Sequence, residues 1–225
     1  MTTETIKVKD LILDRSVLNL HTFASKDKGR SAIRHVHFKF ANNEIEIAAT
    51  NGHYLTVLTS DIMTPDPADL PKIPNCAFTL DCDFLASIKP KKSDIVFLDF
   101  EMSKDPIVAP KEVTIRLFNP TSGNTVEHSH KTGIEIFPDY RAVMPTDALL
   151  KPLDDDASLR PFTMGLNPEY IGIFGQYCKK SLFSGAGYRW DFFGPLHPVK
   201  ITKCLKGLGR SLQDISFIVM PLRIK

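Results

Sequence analysis

The chain has 225 residues, a mass of 25.2 kDa and a formal net charge of +2, with 43% hydrophobic and 24% charged residues. This composition is typical of a globular protein and excludes a disordered chain. Because the charge is nearly balanced, any affinity for nucleic acid must come from how the charges are distributed. No apolar run could span a bilayer and the opening residues are polar, so we expect a cytoplasmic protein without membrane contact.

Three segments are predicted to form short amphipathic helices, each preceded by a side chain that can cap it. These capping residues are Asp14, Asp81 and Asn167, and Pro168 fits the first turn of the third helix. The apolar stripes of the helices are, in chain order, Val17, Leu20, Phe23 and Ala24; Phe84, Leu85 and Ile88; and Tyr170, Ile171, Phe174, Tyr177 and Cys178. We infer that one structural unit occurs three times.

Hydrophobic residues alternate with polar ones between the helices, which predicts strands. Residues 35–50 read as a hairpin that turns at Asn42 and Asn43. Strand patterns recur at residues 94–100, 112–118, 187–193 and 199–205. The last pattern, from Ile215 to Ile224, is interrupted by Pro221 and therefore predicts an edge strand or a strand that leaves the sheet. Met220 and Leu222 would then lie at a surface.

A basic cluster follows each predicted helix. For any one cluster, the attraction of cations to a helix C-terminus is a sufficient explanation. Three clusters at the same place in three repeats predict a basic stripe suited to phosphates, without base readout, if the helices lie side by side. The clusters comprise Lys26, Lys28, Arg30, Lys89, Lys91, Lys92, Lys179 and Lys180.

Three motifs resemble those of the bacterial DNA polymerase III beta subunit, the DNA sliding clamp. ATNGHYLTVL (residues 49–58) resembles the ATDGHRLA-type segment of that family, and FPDYRAVMP (residues 137–145) resembles its FPDYRRVLP-type segment. FIVMPLRI (residues 217–224) resembles its YVVMPMRL-type ending. The motifs occur in the family's order.

The resemblance implies an α+β protein with the DNA-clamp fold, in which repeated β-α-β-β-β half-domains put helices inside and sheets outside a ring. Residues 1–145 would form a clamp domain, residues 146–160 a linker and residues 161–225 a half-domain. Clamp rings of this family contain twelve half-domains, so four chains with cyclic symmetry would close a similar ring, and three chains a smaller one. Duplex DNA would thread the ring without sequence specificity, near the nucleoid.

The resemblance also implies a hydrophobic pocket that captures short linear motifs of a DNA polymerase and a clamp loader. Carried over by position, the pocket comprises Ile33, Thr50, Gly52, His53, Tyr54, Leu55, Pro138, Val143, Ile218, Met220, Pro221, Leu222 and Arg223. The chain has Asn51, Tyr54 and Ala142 where the family usually has Asp, Arg and Arg. We therefore expect an apolar pocket with altered specificity.

Other candidate sites carry less weight, and we expect no enzymatic activity, no metal and no cofactor. The pairs His35/His37 and His128/His130 could meet at a metal, but we interpret them as exposed strand residues. His53 lacks a nucleophile motif, and the acidic run of residues 154–156 reads as a solvated linker. The segment of residues 207–211 reads as a turn, because it lacks the spacing and lysine of a phosphate loop. Tyr140 and Trp190 could stack on bases, but we interpret them as residues of the core or of a partner surface.

The four cysteines show no CxxC pairing and no metal-site spacing. They are Cys76, Cys82, Cys178 and Cys204, and we predict reduced core thiols. Two functions remain open. The first is a non-enzymatic clamp that encircles DNA. The second is a clamp-like interaction protein that binds clamp-interacting peptides without encircling DNA.

Overall fold

The computed structural model describes residues 5–64, 75–104, 109–133, 136–145, 164–180, 187–194, 196–204 and 213–222. Two α-helices, α1 (Cys82–Ser87) and α2 (Pro168–Lys180), and a longer 3₁₀ helix, η1 (Arg15–Phe23), lie among them. The described strands are β1 (Thr5–Leu13), β2 (His35–Ala41), β3 (Glu44–Thr50), β4 (Tyr54–Asp61), β5 (Cys76–Asp81), β6 (Ile95–Ser103), β7 (Glu112–Phe118), β8 (Thr125–Lys131), β9 (Gly187–Phe192), β10 (Val199–Cys204) and β11 (Gln213–Val219). No described helix has the length and apolarity needed to span a membrane.

The three predicted caps form as expected. The Asp14 carboxylate accepts a hydrogen bond from the backbone N–H of Ser16 at 2.8 Å. Asp81 accepts from Asp83 at 2.7 Å, and the Asn167 side chain accepts from the N–H of Glu169 at 2.9 Å. Each bond satisfies a donor that the first helical turn leaves free.

The first helix is a 3₁₀ helix and not the α-helix that its pattern suggested. Val17, Leu20 and Phe23 are buried and recur every third residue, which matches the three residues per turn of a 3₁₀ helix. Thr22 donates its hydroxyl proton to the carbonyl of Asn19 at 2.8 Å, so a side chain competes with the backbone inside this helix.

The hairpin of β2 and β3 turns where the sequence indicated. Asn42 and Asn43 have φ angles of 54° and 62°, so both adopt the left-handed conformation that tight hairpins favour. The register pairs Ala41 with Glu44, and it puts Phe38 opposite Ile47 in the core.

An isolated β-bridge recurs at one place in each repeat and defines three equivalent units. Ile12 bridges Met63, Thr79 bridges Gly133, and Gly165 bridges Leu222. The first residue of each bridge lies two positions before a helix cap, and the second lies just beyond the last strand of the repeat. We therefore define unit 1 (residues 5–63), unit 2 (residues 75–133) and unit 3 (residues 164–222).

Units 1 and 2 exchange their first strands. β1 pairs antiparallel with β6 of unit 2, while β5 pairs antiparallel with β2 of unit 1. Phenylalanines from both units meet behind these strands: the rings of Phe40 and Phe100 lie 5.5 Å apart, and those of Phe38 and Phe78 lie 5.4 Å apart. Each such buried ring contributes about 1.5–3 kcal/mol of transfer free energy, so the exchange ties the two units into one core.

A bulge in β1 is held by ion pairs that link distant parts of units 1 and 2. The register shifts between Val8 and Leu11, where Asp10 has a φ of 59°. The backbone N–H of Asp10 donates to the Asp99 carboxylate at 2.6 Å. Arg116 donates to Asp99 at 2.9 Å and also to Asp10.

The second sheet continues from unit 1 into unit 3, with the order β5-β2-β3-β4-β11-β10-β9. β11 pairs with both β4 and β10, so it is a central strand and the edge position considered from the sequence is wrong. The chain leaves this strand after Val219, before Pro221, so the proline removes no hydrogen bond from the ladder. The remaining strands form a four-stranded sheet, β1-β6-β7-β8.

The predicted division into residues 1–145, a linker and residues 161–225 stays a prediction. The linker, residues 146–160, lies outside the described residues.

Candidate functional site

A cleft of about 170 Å³ lies where the turn after β3, the end of β11 and the segment after Pro138 meet. Ten of the predicted pocket residues line it: Ile33, Thr50, Gly52, His53, Tyr54, Leu55, Pro138, Val143, Ile218 and Met220. Asp139 and Tyr140 line it as well, and they were not predicted. Pro221 and Leu222 do not line this cleft, although Leu222 is 48% exposed beside it. Arg223 lies outside the described residues.

The turn from Thr50 to Tyr54 is shaped by short polar side chains. The Asn51 side-chain oxygen accepts the backbone N–H groups of His53 at 2.9 Å and Tyr54 at 3.2 Å. The Thr50 hydroxyl oxygen accepts the N–H of Gly52, whose φ of 90° favours glycine. An aspartate accepts such bonds with the same geometry, so Asn51 preserves the turn while removing a charge.

Backbone hydrogen bonds hold the segment after β11 against this turn. The N–H of Met220 donates to the carbonyl of His53 at 3.0 Å, and the N–H of Leu222 donates to the carbonyl of Gly165 at 2.8 Å. Met220 is thereby fixed at the cleft with a half-buried side chain. A methionine can adapt its shape to different apolar ligands.

Tyr54 belongs mainly to the core and does not form a polar rim. Its ring is 5% exposed and makes edge contacts with Phe23 at 6.1 Å and Tyr170 at 5.0 Å. It also lies 5.7 Å from the ring of Phe217. Tyr54 therefore packs unit 1 against unit 3.

One wall of the cleft, residues 137–143, is anchored by Glu46 of β3. Tyr140 donates its hydroxyl proton to Glu46, and Arg141 donates to both carboxylate oxygens at 2.7 and 3.0 Å. Burial alone would raise the pKa of Glu46, but the hydrogen bonds from Tyr140 and Arg141 outweigh it and lower that pKa. The carboxylate therefore stays ionised at neutral pH and keeps the wall in place.

The helices of the three units lie in one layer, with η1 in the middle. α1 and α2 both pack against η1, and Arg15 of η1 donates to the carbonyl of Lys91 beyond α1 at 3.1 Å. A second cleft of about 600 Å³ opens beside the contact between η1 and α2, and Lys26, Arg30 and Lys180 are among the residues that line it. All eight predicted DNA-facing residues are exposed.

Charges from two of the basic clusters converge on His21. Burial lowers the pKa of His21, and the nearby Lys89 and Lys26 lower it further, against the hydrogen bond to the Leu18 carbonyl and the Asp83 charge, which raise it. Lys26 follows the helix of unit 1 and Lys89 follows that of unit 2. These two clusters therefore act on one region of the helix layer. Lys28, Lys92 and Lys179 are exposed but do not line the second cleft.

The histidine pairs are half-buried, so their interpretation as exposed strand residues is wrong. His37 stacks on Phe137 at 5.1 Å, and His130 stacks on Phe84 at 4.3 Å, because the 137–143 segment and α1 cover these strands. Among the described residues, the one cluster with metal-ligand proximity is Asp81, Cys82 and Asp83, in which Asp81 already caps α1.

Cys76, Cys82 and Cys178 are buried, as predicted, while the side chain of Cys204 is outside the described part. Trp190 is 38% exposed and stacks on Phe192. The acidic run of residues 154–156 and the turn of residues 207–211 lie outside the described residues.

No protein-family model and no curated protein matches the chain. Solved structures do. The DNA polymerase sliding clamp from Bacillus subtilis is similar over 100% of this chain, with 13% identity and a TM-score of 0.61. The DNA polymerase III beta subunit from Thermotoga maritima is similar over 100% of the chain, with 15% identity and a TM-score of 0.57. The beta chain from Streptococcus pneumoniae is similar over 96%, with 13% identity and a TM-score of 0.60.

The fold is therefore that of DNA polymerase sliding clamps, and the α+β clamp fold predicted from the sequence is confirmed. The chain spans 65%, 68% and 65% of the lengths of these three clamps, in the same order.

Proposed function

We propose that this protein is a non-enzymatic DNA sliding clamp: a homo-oligomeric ring that encircles duplex DNA and tethers replication proteins through the cleft at Met220. The observation that carries the proposal is the single helix layer in which basic clusters from different repeats converge. α1, η1 and α2 pack side by side, and the cations that follow them are exposed. Such a face suits the phosphate backbone, and we expect it to bind DNA without base readout.

The ring would hold DNA by topology, so its electrostatic affinity can stay weak enough for sliding. We favour four chains, which supply twelve units, over three chains in a smaller ring. The protein would act in the cytoplasm, at the nucleoid, without a cofactor or a metal.

The cleft at Met220 fits a short apolar peptide segment. Its lining is mainly apolar, and His53 and Asp139 offer polar contacts at its border. A polymerase and a clamp loader would each insert such a segment. Because Asn51 carries no charge and Tyr54 packs in the core, we expect a motif specificity different from that of clamps with charged residues at these positions.

Retention on DNA with blocked ends tests encirclement. The protein is placed on linear duplex through its free ends, the ends are then capped with bulky protein blocks, and retention is followed in high salt. A ring stays on the capped duplex and is lost after a restriction cut, because salt weakens charge contacts but not topology. Loss from the capped duplex at the same rate as from the cut duplex would refute encirclement.

Charge variants test which face meets DNA. Replacing Lys26, Lys89 and Lys180 by glutamine should weaken DNA binding and reduce its salt dependence. The matched control replaces Lys7, Lys9 and Lys111, which are exposed and lie on β1 or just before β7, and removes the same charge. Equal losses in both variants would overturn the assignment of the helix face.

The alternative is a clamp-like protein that binds clamp-interacting peptides without encircling DNA. The cleft alone would suffice for that function. It predicts peptide binding with no retention on capped DNA, whereas the exposed cations along the helix layer favour the clamp.

A further inference from the structure

The three units are equivalent strand by strand, so an exposed residue in one can be compared with buried residues in the others. Across the seven-stranded sheet, one row of paired residues runs His37, Ala48, Val57, Ser216, Thr202, Arg189. The pair Val57 and Ser216 lies at the centre of this row, so β2, β3 and β4 of unit 1 correspond to β9, β10 and β11 of unit 3. Arg189 is therefore the counterpart in unit 3 of His37 in unit 1. Three residues further along each strand, Phe192 corresponds to Phe40.

Unit 2 has a phenylalanine, Phe100, at the position that corresponds to Phe40. His37 pairs with Thr79, the bridge residue of unit 2, and Phe97 pairs with Ile12, the bridge residue of unit 1. Phe97 therefore corresponds to His37, and Phe100 corresponds to Phe40.

Phe40 and Phe100 are buried because units 1 and 2 cover each other. Phe40 is 1% exposed and Phe100 is 4% exposed, and the two equivalent rings contact each other at 5.5 Å. In unit 3 the equivalent Phe192 is 51% exposed, and Trp190, at the place of Phe38, is 38% exposed. Among the described strands, β9 pairs only with β10. Unit 3 thus presents the face that, in the other two units, is buried against a second unit.

We propose that unit 3 packs against unit 3 of a second copy of this chain, about a two-fold axis near Phe192. The two junctions within the chain indicate which partner fits this open face. Unit 1 and unit 2 meet on the sides that carry their first strands. Unit 1 and unit 3 meet through their last strands, β4 and β11. Like edges meet in both junctions. The open side of unit 3 is its first-strand side. Unit 3 of another copy has the same open side and can therefore pair with it.

The second open edge, β8 of unit 2, is of the last-strand kind. Val126 on β8 is 52% exposed, whereas the equivalent Thr56 and Ile215 are 0% and 1% exposed. Since the last strands of units 1 and 3 pair with each other, β8 matches the β8 of another copy. Two interfaces that each join like to like generate dihedral symmetry. A ring of twelve units then holds four chains with dihedral symmetry, not the cyclic symmetry first expected, and three chains leave two edges unmatched.

The unit-to-unit pairing rests on the fold, while closure into a ring rests on the proposed function. The test is the solution mass of four proteins by light scattering: wild type, Phe192→Glu, Val126→Glu and the double variant. Ile136→Glu, at a residue that is 89% exposed and on neither edge strand, is the control. Circular dichroism checks folding, which we expect to survive because both substituted side chains are exposed in the protomer.

Dihedral assembly predicts four chains for the wild type and the control, two chains for each single variant, and one for the double variant. A head-to-tail ring has one kind of interface, so either single variant would fall to a monomer; that result overturns the inference and leaves the ring intact. Phe192→Glu with the wild-type mass also overturns it. A wild-type dimer that Phe192→Glu alone dissociates supports the unit 3 interface and refutes the closed ring. A wild-type monomer at every concentration refutes both.

Discussion

Protonation of His37, a half-buried histidine on β2, should destabilise the protein at the wall of the cleft at Met220 when the pH falls. Its ring stacks on Phe137, and its Nδ1 is buried without a hydrogen-bond partner among the described residues. Burial lowers the pKa of His37 from 6.5 to about 4; Lys39 and Arg141 lower it too, and Glu46 opposes them. The folded protein therefore keeps this ring neutral at a pH where the unfolded chain protonates it.

The direction and size of the effect follow from this pKa shift. The unfolded chain takes up a proton as the pH falls through 6.5, whereas the folded protein does so only near 4, so stability is lost across this window as the pH falls. One pKa unit is worth about 1.4 kcal/mol. From pH 7 to pH 5 we expect a loss of about 1–2 kcal/mol in the free energy of unfolding, allowing for the partial exposure of the ring.

Urea unfolding of the wild type and His37→Phe at pH 7 and pH 5 measures this loss. Phenylalanine keeps the stacking and has no proton to gain, so we expect similar stability at pH 7 and a smaller loss at pH 5. His197→Gln, at an exposed histidine, should keep the wild-type loss. If His37→Phe loses as much stability as the wild type, His37 is not the source and the reasoning is refuted.

Three further predictions concern the cleft, the ion pairs and the thiols. Met220→Ala should weaken binding of a clamp-interacting peptide about tenfold in a fluorescence polarisation assay without changing the assembly mass, because it removes an apolar contact from the cleft; unchanged affinity would exclude Met220 from the site. Arg116→Met should cost about 1–3 kcal/mol in urea unfolding, because it leaves Asp10 and Asp99 facing each other. In contrast, Lys7→Met, which breaks the exposed pair with Glu101 at 2.8 Å, should leave the urea midpoint close to that of the wild type. Burial raises the pKa of Cys76 to about 12, so native Cys76 should react with a thiol reagent only as fast as the protein opens; rapid labelling in the native state would contradict its burial.

Local chemistry was readable from the sequence, whereas long-range pairing was not. The caps at Asp14, Asp81 and Asn167 and the turn at Asn42 and Asn43 depend on a few adjacent residues, and all formed as predicted. The bond from Arg116 to Asp10 joins residues 106 positions apart, and no local pattern indicates it. The central position of β11 likewise depends on its pairing with β4, far away in the chain.

The candidate site shows the same division. The resemblance identified most of the residues that line the cleft, because three short motifs supply them. It did not indicate that Tyr54 packs in the core, since that position depends on Phe23 and Tyr170 from two different units. The anchoring of Tyr140 and Arg141 by Glu46 was also missed, because Glu46 is one of several polar residues that alternate along β3.

The two open edges of the chain differ in chemistry. In the proposed assembly this difference decides which interface forms first and where the ring opens. The aromatic face at Phe192 would join first and yield a stable pair of chains, while the polar β8 edge would close two such pairs into the ring. Glu127 of β8 lies opposite Arg116 of β7 in the strand register, and its counterparts in units 1 and 3 are Val57 and Ser216. Because Val57 and Ser216 lie opposite each other, Glu127 would lie opposite Glu127 of the other copy at the centre of the β8 junction. Like charges directly opposite each other weaken strand pairing. The β8 junctions are therefore where such a ring would part to admit DNA that has no free end.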